Sequence, residues 1–106
     1  MRAGLLRHRV MLQRPVQDLD PQGNPVTVWE DVGEVWAAVE PLRGREQIEA
    51  QQAFGEVTTR VRIRYRPDVR KSWRVVWEGR VLEVRSPVDV RGMHVEWELL
   101  CAEVVQ

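Results

Sequence analysis

Cysteine and long apolar runs are scarce in this chain, and each scarcity excludes a class of protein. Cys101 is the only cysteine among 106 residues, so there is no internal disulfide and no dependence on an oxidising compartment. No stretch approaches the roughly 20 apolar residues of a membrane helix. The opening "MRAGLLRHRV" has no apolar run long enough for a signal peptide. We therefore expect a soluble, cytosolic protein that makes no contact with a membrane.

An excess of charge of either sign is also missing. The chain has 16 basic and 16 acidic side chains and a pI near 6.7. Non-specific DNA binding draws its affinity from neutralised phosphates and usually needs a large basic excess. Any basic surface must therefore be local. Hydrophobic residues make up 43% of the chain, which is enough for the core of a single domain spanning 1–106.

Groups of residues that carry out chemistry are missing as well. His8, His94 and Cys101 are too few and too scattered for a zinc site, which usually needs four nitrogen or sulfur ligands. The stretch "DLDPQGN" begins like a calcium loop at Asp18, but the twelfth position, where such a loop has a glutamate, is Trp29. No glycine-rich phosphate loop is present. We predict no catalytic residues, no metal and no cofactor, and hence no enzyme.

What is present is a series of short runs in which apolar and polar residues alternate, the period of β-strands. The predicted strand segments are 8–16, 26–42, 56–67, 73–88 and 93–104. Pro15 should end the first, Gly33 should break the second, and the fourth should turn at Glu78–Gly79. Turn residues separate the segments, as in a small barrel or sandwich. We predict a mainly β fold: a small β-barrel of six to seven strands with one short α-helix and extended loops.

Two segments depart from the strand pattern. Residues 43–54 are rich in Glu, Gln and Ala and lack Val, Thr and Pro, which favours a helix of about three turns that Gly55 would end. This helix has too few apolar residues to be buried on all sides. Residues 17–26 are dense in Asp, Pro, Gly and Asn, which is typical of a mobile loop.

The stretch "RVRIRYRP" places an arginine at every second position: 60, 62, 64 and 66. Alternation predicts Val61, Ile63 and Tyr65 inside the fold and all four arginines outside. A row of like charges needs acidic partners. We expect Glu96 and Glu98 on the last strand, with Glu83 or Glu78 adding to them, each pair being worth about 0.2–1 kcal/mol. A subunit interface and phosphate contact are the alternatives to this structural interpretation.

Five tryptophans are many for this length, and most should fill the core. Trp29 should lie on the same face of its strand as Thr27 and Asp31, and Trp36 on the face opposite that of Val35. If the faces that carry Trp29 and Trp36 are not core, these two side chains would serve a protein interface, where aromatic residues are enriched.

Four motifs in this order resemble a known family: "VWAAVEPLRGREQIEAQQ", "TTRVRIRYRPDV", "RVVWEGRVLEV" and "ELLCAE". Together with "LLRHRVMLQRP" near the start, they are similar to the phage head–tail joining proteins. These are the head-closure or stopper proteins of long-tailed phages and gene transfer agents. The resemblance runs from about Leu5 to Glu103.

The resemblance implies a structural protein of the virion neck that is assembled in the bacterial cytoplasm. Its copies would form a ring, usually a dodecamer, below the portal and its adaptor after DNA packaging. The ring would close the exit channel around the packaged double-stranded DNA and give the tail, or a tail-terminator protein, a docking surface. Two alternatives stay open: a tail-completion or adaptor protein of the same neck, and a nucleic-acid-binding β-barrel. Base stacking would need aromatic side chains on the same face as the arginine row. Alternation turns Tyr65 away from that row, which counts against a nucleic-acid-binding barrel.

Within that interpretation, the polar segments 17–26 and 41–56 should project from the barrel and make ring or channel contacts. Arg45 and Glu46 would pair between neighbouring subunits. The candidate interface or channel residues are Asp18, Asp20, Gln22, Asn24, Trp29, Trp36, Arg43, Arg45, Glu46, Glu49, Gln51 and Gln52. The candidate ion-pair face comprises Arg60, Arg62, Arg64, Arg66, Glu96 and Glu98.

Overall fold

The structure is a computed structural model and describes residues 6–105. Residues 1–5 and 106 of the expected domain, including Leu5 at the start of the resemblance, lie outside the described part. Six strands and one helix follow one another along the chain. They are β1 His8–Leu19, β2 Pro25–Pro41, α1 Gly44–Phe54, β3 Thr59–Arg64, β4 Arg74–Trp77, β5 Arg80–Asp89 and β6 Glu96–Val104, with a 3-10 turn at Val90–Gly92. The predicted mainly β fold with one short helix is confirmed.

The strands form a closed antiparallel barrel in the order β1-β2-β3-β6-β5-β4. The barrel closes where β4 pairs with β1, Met11 lying opposite Val76. Alternate residues of every strand point inward and make one core. Its buried members are Val10, Leu12, Ala37, Val61, Ile63, Val69, Trp73, Val75, Leu82, Val84, Leu99 and Cys101. Because each strand contributes at least one of them, the period-two pattern of the sequence defines the barrel interior.

The predicted turn between β4 and β5 is confirmed. Trp77 pairs with Arg80, which leaves Glu78 and Gly79 as a two-residue hairpin loop. Both have positive φ, 49° at Glu78 and 76° at Gly79. This is the turn geometry that matches the natural twist of two strands, and glycine adopts it without strain.

The beginning of the chain differs from its prediction in two respects. Pro15 does not end β1 but lies inside it, opposite Trp29. Proline is tolerated there because this part of β1 pairs only with β2 and has an open edge. Gly33 does not break β2 either: Leu12 pairs with Gly33 and Gln13 with Asp31, so Val32 is an extra residue in a β-bulge. The predicted loop 17–26 is correspondingly shorter and comprises residues 20–24.

The arginine-rich strand is also shorter than predicted. Val61 and Ile63 are fully buried as expected, but β3 ends at Arg64. Tyr65 is only half-buried: it lies beyond the strand and stacks between His94 and Trp97, at ring distances of 4.6 and 5.1 Å. The prediction that Tyr65 belongs to the core was therefore wrong, because the period-two pattern does not continue past the end of the strand.

The tryptophans divide as the sequence suggested. Trp73 is buried, and Trp77 and Trp97 pack against the core. Trp29 is half-buried, and the Trp36 side chain is 51% exposed on the outside of the barrel. None of the helices in residues 6–105 has the length and apolar content that a membrane crossing requires.

Candidate interaction surfaces

The β1–β2 hairpin extends well beyond the barrel. From Arg14 to Leu19, β1 pairs only with Pro25–Glu30 of β2 and with no other strand. We call this two-stranded arm, residues 14–30, the ribbon. Six residue pairs at about 3.3 Å each give it a length of about 20 Å. The whole molecule measures 47 × 28 × 27 Å, an elongation consistent with such an arm.

Contacts between side chains of its two strands stabilise the ribbon. Arg14 Nη2 donates to Glu30 Oε1 at 2.6 Å, and Gln17 Nε2 donates to Thr27 Oγ1 at 3.2 Å. At its base the guanidinium of Arg74 lies 3.9 Å from the centre of the Trp29 ring, a cation–π contact. Trp29 thus connects the arm to the barrel, and its expected role at a protein interface stays a prediction.

One side of the ribbon carries three exposed valines. Val16 lies opposite Val28, and Val26 follows two residues away on the same side. All three are exposed, and no other part of the described chain covers them. The sequence does not distinguish these valines from core residues, because an alternating strand predicts a buried face and does not show where the barrel ends.

The candidate residues of the predicted loop lie at the tip of the ribbon. Asp20 Oδ1 accepts hydrogen bonds from the backbone N–H groups of Gln22 and Asn24 at 2.9 and 2.8 Å. Asp18 Oδ1 accepts one from the N–H of Leu19 at 2.8 Å. The second oxygen of Asp20 accepts a hydrogen bond from Asn24 Nδ2 at 3.5 Å, so the tip is an organised turn.

The helix is attached loosely to the outside of the barrel. None of its residues is buried, and Ile48 and Phe54 are exposed. Gln51 Nε2 donates to the carbonyl oxygen of Val57 at 3.2 Å. The other candidates on this segment, Arg43, Arg45, Glu49 and Gln52, are all exposed. Gly55, with a φ of 80°, ends the helix as predicted.

The first two arginines of "RVRIRYRP" lie in a cluster of carboxylates beside the helix. Arg60 contacts Glu98 on β6, Glu46 on α1 at 2.5 Å and Glu40 on β2 at 3.9 Å. Arg62 contacts Glu40 and lies 4.0 Å from Glu96. We call these six side chains, Arg60, Arg62, Glu40, Glu46, Glu96 and Glu98, the arginine network. It connects three strands and the helix.

Arg60 is the centre of this network. Its side chain is only 18% exposed. Burial opposes its charge, but the hydrogen bonds and charges of Glu46 and Glu98 outweigh burial and raise the pKa of Arg60. Glu46 therefore pairs with Arg60 of its own chain, and its expected contact with Arg45 of a neighbouring subunit stays a prediction. Glu40 was missed, although it lies directly opposite Arg60 in the β2–β3 register.

The other two arginines do not belong to the network. Arg66 forms two hydrogen bonds with Asp68, at 2.7 and 2.8 Å, in the turn after β3. Arg64 has no carboxylate within 4.0 Å among residues 6–105. Glu83 pairs with Arg85 rather than with the arginine row, and Glu78 contributes its charge near Arg80. The single face of four arginines that alternation predicts thus divides into three separate environments.

An open groove of about 590 Å³ lies beside the end of β3. It is lined by Leu6, Val35, Trp36, Arg64 and Tyr65. The guanidinium of Arg9 lies 5.0 Å from the centre of the Trp36 ring and 3.7 Å from a carboxylate oxygen of Glu34. Tyr65 and Arg64 therefore line one groove, and the expectation that Tyr65 faces away from the arginines was wrong.

Cys101 lies in the core of the barrel and is fully buried. Burial raises the pKa of its thiol to about 12. We expect the thiolate fraction at mildly alkaline pH to be about three orders of magnitude lower than for a free cysteine. Alkylation by iodoacetamide, followed by mass spectrometry, should therefore be slow in the native protein and fast in urea. Equal rates in the two states would contradict this placement.

Comparison with known proteins agrees with the resemblance seen in the sequence. A model of the phage head completion protein family matches residues 1–104. The chain is 30% identical over 106 residues to head completion protein gp7 of Enterobacteria phage HK97, and this match covers 95% of each of the two chains.

Two solved structures illustrate the likeness in fold. The solution structure of protein SF1141 from Shigella flexneri 2a matches with a TM-score of 0.79 and 32% identity, over 100% of this chain and 99% of that one. A chain in the virion of a native gene transfer agent particle matches with a TM-score of 0.62 and 17% identity, over 95% and 97% of the two chains. At that lower identity the likeness shows the fold alone.

Proposed function

Because the chain belongs to the phage head completion protein family, a family of structural components of the phage particle and not of enzymes, we propose that it acts as a ring at the neck. Copies assemble below the portal or its adaptor after DNA packaging, most simply as a dodecamer. The ring closes the exit channel for the double-stranded DNA. Its lower face provides the docking surface for the tail or a tail-terminator protein.

The observation that carries this proposal is the ribbon. A chain of 106 residues maintains an arm about 20 Å long that adds little to its own core. Exposed apolar residues on an arm of this kind are typical of a surface that is covered in an assembly. A ring subunit needs such surfaces for its two neighbours and for the layers above and below it.

A tail-completion or adaptor protein of the same neck is the alternative within this class. The two proposals differ in the phenotype of particles that lack the protein. Without a closing ring, filled heads should lose their DNA. Without a tail-completion protein, filled heads should stay stable while the tails are incomplete.

The expected result of a nonsense mutation early in the gene is therefore the appearance of DNA-free or leaking heads and of free, complete tails. Electron microscopy and the nuclease sensitivity of the packaged DNA measure both. Supplying the protein in trans should restore infectious particles. Stable, DNA-filled heads in the mutant lysate would contradict the channel-closing role.

DNA binding by the isolated protein is the remaining alternative, since Tyr65, Trp36 and Arg64 share one groove. The chain carries no net charge, which gives little general attraction to phosphate. An affinity for DNA that falls with salt concentration, with a slope that corresponds to several phosphate contacts, would favour this alternative over a purely structural role.

A further inference from the structure

We propose that the tip of the ribbon of one subunit docks into the groove of the next subunit, with Leu19 against Trp36 and Tyr65 and with Asp18 and Asp20 near Arg64. The proposal rests on the ring of the proposed function. It assigns one specific contact within that ring and names a second copy of this chain as the occupant of the groove.

The chemistry of the tip suits an apolar groove with a basic rim. Between residues 15 and 28 the only charged side chains are Asp18 and Asp20. Leu19 lies between them and is 66% exposed, which is unusual for a leucine in a strand. Pro25 is its cross-strand partner. The tip therefore carries one exposed leucine with an aspartate on each side of it in the sequence.

The groove has the complementary character. Leu6, Val35, Trp36 and Tyr65 provide apolar walls, and Arg64 is an exposed cation with no carboxylate within 4.0 Å among residues 6–105. Arg9, whose guanidinium lies over the Trp36 ring, is partly neutralised by Glu34. Opposite charges across a contact fix its register and suppress wrong partners. The volume of about 590 Å³ lies in the ordinary range of ligand sites.

A tip cannot reach the groove of its own chain. Pro25 at the tip and Trp36 in the groove belong to the same continuous strand and are eleven residues apart. At about 3.3 Å per residue, they are separated by about 36 Å. Any tip that fills the groove must therefore come from another molecule. Since tip and groove are different surfaces, each subunit offers one of each, and the contact is head-to-tail, the kind that generates closed rings.

The test uses the pair Asp18→Cys and Arg64→Cys in one full-length chain, supplied to the nonsense mutant so that particles assemble with it. Both positions are exposed, so neither substitution threatens the barrel. After mild oxidation, denaturing gels without reductant should show a ladder of covalent multimers of this chain. The matched controls carry one new cysteine each and should show no ladder, since the buried Cys101 does not react.

A second measurement covers the case in which the paired cysteines lie outside disulfide range. Asp18→Arg alone should reduce the number of copies per particle, and adding Arg64→Asp should restore it. Dimers without higher multimers, cross-links to a protein of different mass, or the absence of both ladder and rescue in particles that contain the chain would each overturn the proposal. If the wild-type chain is absent from particles, the proposed function itself fails, which is a different outcome.

Discussion

Replacing residues 15–29 by an Asn-Gly turn is expected to leave a folded barrel but to abolish infectious particles. Arg14 and Glu30 are cross-strand partners, so a two-residue turn can join them without disturbing the register below. The core residues all lie outside the deleted segment. Circular dichroism and urea denaturation should show a cooperative barrel, and plaque assays should show loss of complementation.

The matched control shortens only the turn. Replacing residues 20–24 by Asp-Gly keeps both strands of the ribbon and an aspartate at position 20, because Leu19 and Pro25 remain opposite each other. We expect this variant to retain much more activity than the full truncation. If the variant that lacks the ribbon supports a normal titre, the ribbon has no part in assembly or DNA retention. If it does not fold, residues 15–29 are needed for the barrel, and their role in the particle must be tested by single substitutions.

Arg60→Ala is expected to lower the free energy of unfolding by about 2–3 kcal/mol. Removing one partner of a buried ion pair typically costs about 3–5 kcal/mol, and the 18% exposure of Arg60 reduces that loss. The substitution leaves Glu40, Glu46 and Glu98 without their shared cation. Urea denaturation with an unchanged m-value would measure the loss.

The matched control is Arg14→Ala, which breaks another cross-strand pair of arginine and glutamate. Arg14 and Glu30 are both about half exposed, so the expected loss is about 0–1 kcal/mol. A double-mutant cycle of Arg60→Ala and Glu98→Ala should give a favourable coupling energy. Equal losses for Arg60→Ala and Arg14→Ala, or no coupling, would show that the arginine network adds no more than ordinary surface pairs.

Local patterns in the sequence predicted much of this fold. The helix, its end at Gly55 and the turn at Glu78–Gly79 follow from composition and from backbone preferences within a few residues. The inward residues of β3 and β6 follow from strict alternation. These features need no knowledge of distant partners, which is why a single sequence suffices for them.

The features that depend on pairing were not predictable in the same way. Pro15 normally indicates the end of a strand, and only the open edge of the ribbon makes it compatible with one. Glu40 becomes a partner of Arg60 through the register of two strands separated by the helix. The groove combines the segment before β1 with residues of β2 and the end of β3, so it exists only in the folded chain.

The extra residue in β2 has a consequence for the two sides of the ribbon. If Val32 were paired and the ladder ran on without a shift, Val16 would lie opposite Trp29, and Val28 opposite Gln17. No two valines would then lie opposite each other, and the hydrogen-bonded pair of Gln17 and Thr27 would be separated. The offset of one position instead places Val28 opposite Val16 and Val26 opposite Asp18, on the side of β1 that Val10 and Leu12 occupy within the barrel. Beyond the exposed pair of Arg14 and Glu30, apolar side chains thereby reappear on the side that lines the barrel, where only other molecules can cover them.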